Sequence, residues 1–440
     1  LGLRAAAEAG LGDVEKARAM LATGAGIDPE AIHLLKITTQ IQLATGESEA
    51  AASTLKQALS AHPDDPEMLL LSATMAIQVK DHANAMSACQ KVIDQEPARL
   101  ITVYGRQARL GLARIGIMDN TLEQAQSALQ PLFRTNADDP EANYLGGMLA
   151  FKQGDYDLAS GRLLKVLKVA PQHRQTQLLF GTVKYAQQDY EQAAYYISRY
   201  ISAVPENLGA RKLLGRTYMM LGQHEEAQST LQSAAKENPE DAELLALVGL
   251  SRLQEGNTVS GIEGLEQALA VAPESVALRG ELAKAYISTG DTDSAVQELQ
   301  TILSQSGEER QTETLLVIAH LRAENFDQAV NTVLDMLARS PEDPGVLTLA
   351  GTVFTASGDL TEARRYFNKA LQISPGLGPA TLQLAGLEER DGNYAQASAL
   401  YQDLVVAEPE SAAPLLALAR LEERQGKTEA MLDWLEQARK

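Results

Sequence analysis

The sequence has 440 residues, of which 45% are apolar and 5% are aromatic. That apolar content is enough to build a buried core, so a disordered chain is excluded. The 58 acidic and 38 basic side chains leave a net charge of −20. This charge argues against nucleic acid or an anionic membrane as partner, because proteins that bind either display a basic surface. No apolar run reaches the roughly 18 residues that a membrane-spanning helix needs, and the single cysteine, Cys89, excludes an internal disulfide.

A period of 34 residues organises the chain, and proline marks it most clearly. The prolines at this spacing are Pro29, Pro63 and Pro97, then Pro171, Pro205, Pro239 and Pro273, then Pro341, Pro375 and Pro409. Ala137 and Gly307 occupy the two slots where the series lacks a proline. The slot at Ala137 follows Pro97 by 40 residues rather than 34, so one repeat carries six extra residues.

In chain order, the slots define a partial repeat at 1–29, eleven complete repeats and a partial repeat at 410–440. The complete repeats are 30–63, 64–97, 98–137, 138–171, 172–205, 206–239, 240–273, 274–307, 308–341, 342–375 and 376–409. The six extra residues of 98–137 fall near 111–119, GLARIGIMD. They predict a helix that is longer by about one and a half turns, at ~3.6 residues per turn. Leu1 is not an initiator methionine and neither end carries a polar capping helix, so we expect further repeats beyond this chain.

Each repeat is predicted to contain two helices joined by a turn. A small residue lies twelve positions before each slot: Ala17, Ala51, Ala85, Ala125, Ala159, Ala193, Ala227, Gly261, Ala295, Ala329, Ala363 and Ala397. An apolar or amphipathic residue lies eight positions before each slot, on the same helix face: Leu21, Leu55, Cys89, Leu129, Leu163, Ile197, Leu231, Leu265, Leu299, Val333, Phe367 and Tyr401. Glycine recurs seventeen positions before the slot, where the first helix must end. Aspartate followed by proline, as at Asp65, Asp139 and Asp343, predicts the start of a first helix.

This pattern resembles the tetratricopeptide repeat (TPR) family over the whole chain. The small residue of the second helix, the closing proline, and a glycine early in the repeat, as at Gly147, Gly181 and Gly351, all match the family. The resemblance implies an all-α fold, a TPR solenoid of stacked antiparallel helix pairs forming a right-handed superhelix. It also implies that the first helix of each repeat lines a concave groove.

No arrangement of residues in the sequence points to catalysis. The six histidines lack metal-binding spacing, and no phosphate loop or nucleophile elbow is present. Cys89 occupies a slot that leucine fills in other repeats, which predicts a buried structural thiol. We therefore expect no enzyme activity, no catalytic residues, no metal and no cofactor in this chain.

The resemblance implies that a partner binds to first-helix residues that face the groove. In repeats 138–239 these positions form an apolar and aromatic strip with basic groups beside it, which is the composition of protein-binding hot spots. The residues are Tyr144, Met148, Phe151, Lys152, Tyr185, Lys212, Arg216 and Met219. The alternative is that these aromatic side chains only pack between neighbouring helices. The four tyrosines of the following second helix, at 190, 195, 196 and 200, are predicted to pack.

The sequence predicts a non-catalytic scaffold that binds a protein or peptide, with no nucleic acid and no transmembrane segment; it does not indicate an oligomeric state. The carboxylate clamp of chaperone-binding relatives is absent, because its asparagine slots hold residues such as Gln40, Thr74 and Thr182. The residues of stretches such as 387–409 resemble those of long bacterial TPR proteins of envelope and exopolysaccharide systems, including those associated with PEP-CTERM sorting. That resemblance favours the periplasm or envelope over the cytoplasm. The alternatives are a substrate-recruiting region of an enzyme whose catalytic domain lies outside this chain, or a regulator that binds a small signalling peptide.

Overall fold

A computed structural model describes residues 2–97, 100–306 and 310–439. The chain divides into two compact bodies, which we call the N-terminal body (1–223) and the C-terminal body (224–440). The described residues are helical, with no strand among them. The predicted all-α repeat fold is therefore confirmed.

The N-terminal body contains helices that alternate between first and second members of a pair. They are α1 (Gly2–Gly10), α2 (Val14–Ala25), α3 (Ile32–Ala44), α4 (Ser48–Ala61), α5 (Pro66–Gln78), α6 (His82–Asp94), α7 (Val103–Met118), α8 (Leu122–Thr135), α9 (Pro140–Lys152), α10 (Tyr156–Val169), α11 (Arg174–Ala186), α12 (Tyr190–Ala203) and α13 (Leu208–Met220). Odd numbers mark the first helix of each repeat.

The C-terminal body continues the alternation. Its helices are α14 (His224–Glu237), α15 (Ala242–Gln254), α16 (Thr258–Val271), α17 (Val276–Thr289), α18 (Thr292–Ser306), α19 (Arg310–Arg322), α20 (Phe326–Arg339), α21 (Pro344–Ser357), α22 (Leu360–Ile373), α23 (Gly378–Arg390), α24 (Tyr394–Ala407), α25 (Ala412–Arg424) and α26 (Thr428–Arg439). Gly307, the predicted break between α18 and α19, lies outside the described residues.

A left-handed residue reverses the chain between the two helices of each pair. At this position Gly154 has φ of +78° and Gly358 has φ of +90°. The amide of Asp155 then donates to the carbonyl of Ala150 at 2.9 Å, which closes the end of α9. Where the sequence lacks glycine, Lys80, Asn120, Gln188 and Glu324 adopt the same conformation, with φ between +57° and +62°. The turn geometry is therefore kept even where its usual residue is absent.

The predicted aspartate caps are confirmed. Asp65, Asp139 and Asp343 each precede a proline at the start of a first helix and accept a hydrogen bond from a backbone amide of its first turn. Asp155 and Asp359 do the same for second helices. Such caps satisfy amides that have no partner within the helix.

Within each body, the core is a series of buried alanine and apolar slots. Each alanine of the predicted series is 0% exposed, and the apolar residue four positions later is at most 6% exposed. The small residue lets helices approach closely, as predicted. At Gly351, any β-carbon would lie 2.4 Å from the ring of Phe367, so the first helix also needs a small residue there.

The six extra residues of repeat 98–137 are divided equally between α7 and the stretch ahead of it, so the prediction of a helix longer by one and a half turns is wrong. Helix α7 has 16 residues against 13 in α5 and α9, which adds less than one turn. The other three precede the helix: its cap Thr102 lies five positions after Pro97, whereas Asp139 lies two positions after Ala137. The buried carboxylate of Glu96 accepts a hydrogen bond from the Thr102 amide at 2.6 Å and contacts Arg109 at 2.5 Å. These bonds fix where α7 begins, so only half of the extra residues lengthen the helix.

No helix in the described part of the chain is both long and apolar enough to cross a bilayer.

Candidate functional site

In the N-terminal body the first helices α5, α7, α9, α11 and α13 form a continuous surface, which we call the first-helix face. Helix α7 contacts both α5 and α9, and α11 contacts both α9 and α13. In the described part of this body, successive second helices lie farther apart than successive first helices. Because the first helices lie closer together, they line the inner side of this body.

Three predicted site residues follow one face of α9. Tyr144, Met148 and Phe151 are spaced by four and three positions, which places them on the same side of the helix. Each is half-buried. The ring of Tyr144 meets His173 edge-on, with 5.4 Å between centroids, and burial raises the pKa of its hydroxyl. These side chains therefore pack against neighbouring helices and keep part of their surface exposed on the first-helix face.

Tyr185 has the same character on α11. It is half-buried, and its ring lies 5.5 Å from that of Tyr190 in an edge-on arrangement. On α13, Lys212, Arg216 and Met219 are also half-buried. The strip predicted from the sequence thus lies on three successive first helices.

Lys152 has a definite structural contact. Its Nζ donates a hydrogen bond to the carbonyl oxygen of Ile117 at 2.8 Å. Ile117 lies in the last turn of α7, where carbonyl groups have no helical partner and favour a cation. The ammonium group therefore closes the end of α7, while the rest of the side chain is exposed.

The tyrosines of α12 divide into packing and exposed residues. Tyr200 is 8% exposed, and Tyr196 stacks edge-on against Phe180 with 4.7 Å between ring centroids. Tyr195 is 55% exposed, and its hydroxyl accepts a hydrogen bond from Arg199 at 2.9 Å. The packing prediction is therefore wrong for Tyr195, because its position on α12 points away from the neighbouring helices.

The structure also contains a cavity that the sequence analysis missed. It has a volume of about 600 Å³ and opens on the first-helix face between α5, α7 and α9. Its apolar lining includes Leu70, Ile77, Leu110 and the thiol of Cys89. Cys89 is 1% exposed, and burial raises the pKa of its thiol to about 11. The buried thiol predicted from the sequence is confirmed, but its contribution to a cavity was not foreseen.

Charged residues surround the mouth of this cavity in pairs. Arg106 donates from Nε and Nη2 to the carboxylate of Asp139 at 2.6 and 2.8 Å, and these bonds hold the pKa of Asp139 below its ordinary value. Arg106 and Arg114 lie 3.4 and 3.6 Å from the Glu141 carboxylate. The positive and negative charges at the rim therefore balance.

The C-terminal body holds a pair of buried carboxylates, and both are fully partnered. Glu388 accepts hydrogen bonds from Arg364 at 3.1 Å and from Asn393 at 2.7 Å. Glu389 accepts from the Tyr401 hydroxyl at 3.3 Å and lies 3.2 Å from Arg424. These contacts stabilise the packing of α23 with its neighbours. In residues 2–97, 100–306 and 310–439, no group of three His, Cys, Asp or Glu side chains is arranged to hold a metal ion.

Solved structures with a similar fold come from bacteria and from humans. A tetratricopeptide repeat protein from Parabacteroides merdae is 18% identical, with a TM-score of 0.45, and the match covers 56% of this chain and 97% of that protein. MamA from Desulfovibrio magneticus is 17% identical with a TM-score of 0.36, covering 38% of this chain and 94% of MamA. The human IFIT1 dimer with m7Gppp-AAAA is 17% identical with a TM-score of 0.36, covering 79% and 91%. At such low identity these likenesses concern the fold alone.

No curated protein is similar enough to this sequence to count as a relative. The expectation that the chain binds no nucleic acid stays a prediction.

Two profiles of the tetratricopeptide repeat family match the sequence. One matches residues 184–250, 252–312 and 354–421, and the other matches 40–99, 119–165, 144–207 and 314–377. Together they extend from residue 40 to residue 421, with interruptions only at 100–118, 251 and 313. The longest interruption coincides with α7, the helix that departs from the repeat length. The chain belongs to the tetratricopeptide repeat family, whose members generally mediate protein–protein interaction.

Proposed function

We propose that this protein is a scaffold that holds an extended peptide or protein segment against the first-helix face of the N-terminal body. The observation that carries the proposal is the strip of half-buried aromatic and methionine side chains on α9, α11 and α13. A half-buried aromatic ring is already held in one orientation by its neighbours, so little conformational entropy is lost when a partner covers the rest of it.

The composition of the strip supports a protein partner. Tyrosine, methionine and arginine are enriched at the centres of protein interfaces, where they contribute most of the binding energy. Tyr144, Met148 and Arg216 are of these types and lie at the predicted groove positions. We therefore expect the partner segment to place apolar side chains against the strip, and its backbone groups to form hydrogen bonds beside them.

The narrower assignment to an envelope, exopolysaccharide or PEP-CTERM system stays a prediction from the sequence. Neither the family profiles nor the fold neighbours point to such a system. A periplasmic location is likewise a prediction from the sequence. So is substrate recruitment for a catalytic domain outside this chain, and that role would use the same first-helix face.

The proposal is tested with a peptide selected on the immobilised full chain from a displayed library of random twelve-residue sequences. We expect Tyr144→Ala combined with Arg216→Glu to weaken binding of the selected synthetic peptide at least ~30-fold, because truncating a hot-spot residue costs about 2 kcal/mol or more. Fluorescence polarisation of the labelled peptide measures the affinity, and circular dichroism checks that helicity is unchanged.

Tyr195→Ala combined with Arg199→Glu is the matched control. It makes the same chemical changes on α12, where Tyr195 is exposed on a second helix. We expect it to leave the affinity within about twofold of the unmodified chain. Equal affinity of the Tyr144/Arg216 variant and the unmodified chain would show that the strip is not the binding surface.

A further inference from the structure

The cavity between α5, α7 and α9 arises where the repeat pattern is broken twice. Cys89 occupies the slot that leucine, isoleucine, valine, phenylalanine or tyrosine fills in the other repeats. In those repeats the slot side chain reaches the first helix: at Gly147, an added β-carbon would lie 2.6 Å from Leu163. Cysteine is shorter than any of these residues, so space that is normally filled remains open above its Sγ.

Gly111 is the second departure, on the opposite wall. It lies in the middle of α7 and lines the cavity. A β-carbon placed there would meet a single neighbour within 4 Å, the Sγ of Cys89 at 3.1 Å. A glycine inside a helix costs about 1 kcal/mol relative to alanine. The fold thus tolerates a costly residue at a position where a side chain would reduce the cavity.

The opening of the cavity presents uncharged polar groups. Thr74, Gln78 and Gln107 line it, and all three are exposed. A glutamine amide both donates and accepts hydrogen bonds, which suits the alternating N–H and C=O groups of an extended peptide. Volumes of roughly 300 to 1,000 Å³ are typical of sites that enclose a ligand, and about 600 Å³ lies within that range.

The charges at the rim are already paired within the protein. Arg106 is held by Asp139, Arg114 lies beside Glu141, and Glu67 accepts from Gln40 at 3.0 Å and lies 3.1 Å from Lys36. These contacts already neutralise the rim charges, so a charged partner residue would gain little electrostatic attraction there. The neutral rim and the apolar floor are therefore complementary to an uncharged segment.

We propose that this cavity is an anchor pocket for one large, uncharged apolar side chain, such as leucine, isoleucine, methionine or phenylalanine, presented by an extended peptide. The inference rests on the proposed function and specifies its partner: the peptide that covers the strip of α9–α13 continues over α7 and α5 and inserts this side chain between them. Gln78 and Gln107 bind the peptide backbone on either side of the anchor.

The first test uses the same random twelve-residue library selected on the full chain. The selected peptides are expected to share one large apolar position flanked by uncharged residues. Replacing that position with alanine in a synthetic peptide should lower the affinity at least tenfold. Selected peptides that share only charged positions would contradict the proposal that this cavity binds an apolar side chain.

The second test fills the pocket from its floor and from its mouth. Cys89→Leu restores the residue that other repeats carry, and we expect a melting temperature that is equal or higher and an affinity at least tenfold lower. Thr74→Trp covers the opening from an exposed position and should have the same effect on affinity. Its matched control is Thr352→Trp at the corresponding position of α21, since both hydroxyls donate to the carbonyl four residues earlier, at 2.9 and 3.0 Å. The control variant should bind the selected peptide with an affinity within about twofold of that of the unmodified chain.

The outcomes separate the pocket from the proposed function. Peptides that lose affinity with the Tyr144/Arg216 variant but bind Cys89→Leu and Thr74→Trp normally would overturn the pocket and leave the strip as the site. Failure to select any peptide that binds the unmodified chain would overturn both. Loss of affinity in both pocket variants, with the control unchanged, supports the pocket.

Discussion

At the scale of single residues, the turn between paired helices imposes a conformation that not every sequence favours. Gln188 has φ of +61° and its side chain is exposed. Packing of this side chain therefore does not offset the free-energy cost of the left-handed backbone conformation. For an L-residue with a β-carbon this conformation costs roughly 1–2 kcal/mol, whereas glycine adopts it freely. Glycine also loses more conformational freedom on folding, which reduces the gain from a substitution.

We expect Gln188→Gly to stabilise the pair α11–α12 by about 1 kcal/mol. Native-state hydrogen exchange at amides of these two helices measures the change. Asn120→Gly is the control at the same turn position, where φ is +59°. Because asparagine tolerates the left-handed region, the gain there should be small. A Gln188→Gly variant that exchanges faster than the unmodified chain would contradict the argument.

At the scale of helices, the contacts between successive first helices include a partly buried ion pair. Asp139 caps α9 through the Ala142 amide and accepts two hydrogen bonds from Arg106 on α7. Its pKa is lowered in the folded protein. A lowered pKa stabilises the fold above the unfolded value, which is about 3.9, and this contribution is lost as the pH falls through the folded value.

We therefore expect Asp139→Asn to destabilise the α7–α9 contact by about 1–3 kcal/mol at neutral pH, since asparagine keeps a cap acceptor but loses the charged hydrogen bonds. The difference from the unmodified chain should shrink as the pH falls below about 4. Hydrogen exchange of α7 and α9 amides at neutral and at acid pH measures it.

Asp343→Asn is the comparison, because Asp343 caps α21 in the same way but its partner Arg310 is 60% exposed, against 34% for Arg106. Exposed pairs contribute roughly 0–1 kcal/mol, so the effect should be smaller. A difference for Asp139→Asn that stays constant down to acid pH would show that the charge is not involved.

The helices also show how much of the structure could be predicted from the sequence. The alanine and leucine slots predicted the pairing because their positions recur with a fixed period and each has one steric role. Half of the extra residues of repeat 98–137 were placed wrongly, because the hydrogen bonds of Glu96 to Thr102 and Arg109 that fix the start of α7 depend on tertiary contacts. The cavity was missed for a similar reason. Cys89 was recognised as an unusual residue in its slot, but the space above it depends on Gly111 from the next repeat.

At the scale of the whole molecule, the two bodies differ in charge. The N-terminal body has 22 basic and 23 acidic residues, whereas the C-terminal body has 16 basic and 35 acidic residues. The net charges are therefore −1 and −19. The repeat phase runs unbroken from residue 138 onwards, so the sequence pattern did not indicate a division at 223. The nearly neutral N-terminal body carries both the strip and the anchor pocket, which agrees with a partner recognised by apolar contacts.

Hydrogen–deuterium exchange of the full chain, with and without the selected peptide, tests the central claim most directly. If the first-helix face of the N-terminal body binds the peptide, exchange should slow in α5, α7, α9, α11 and α13, while the C-terminal body exchanges as before. Slowing confined to the second helices or to the C-terminal body would contradict the account.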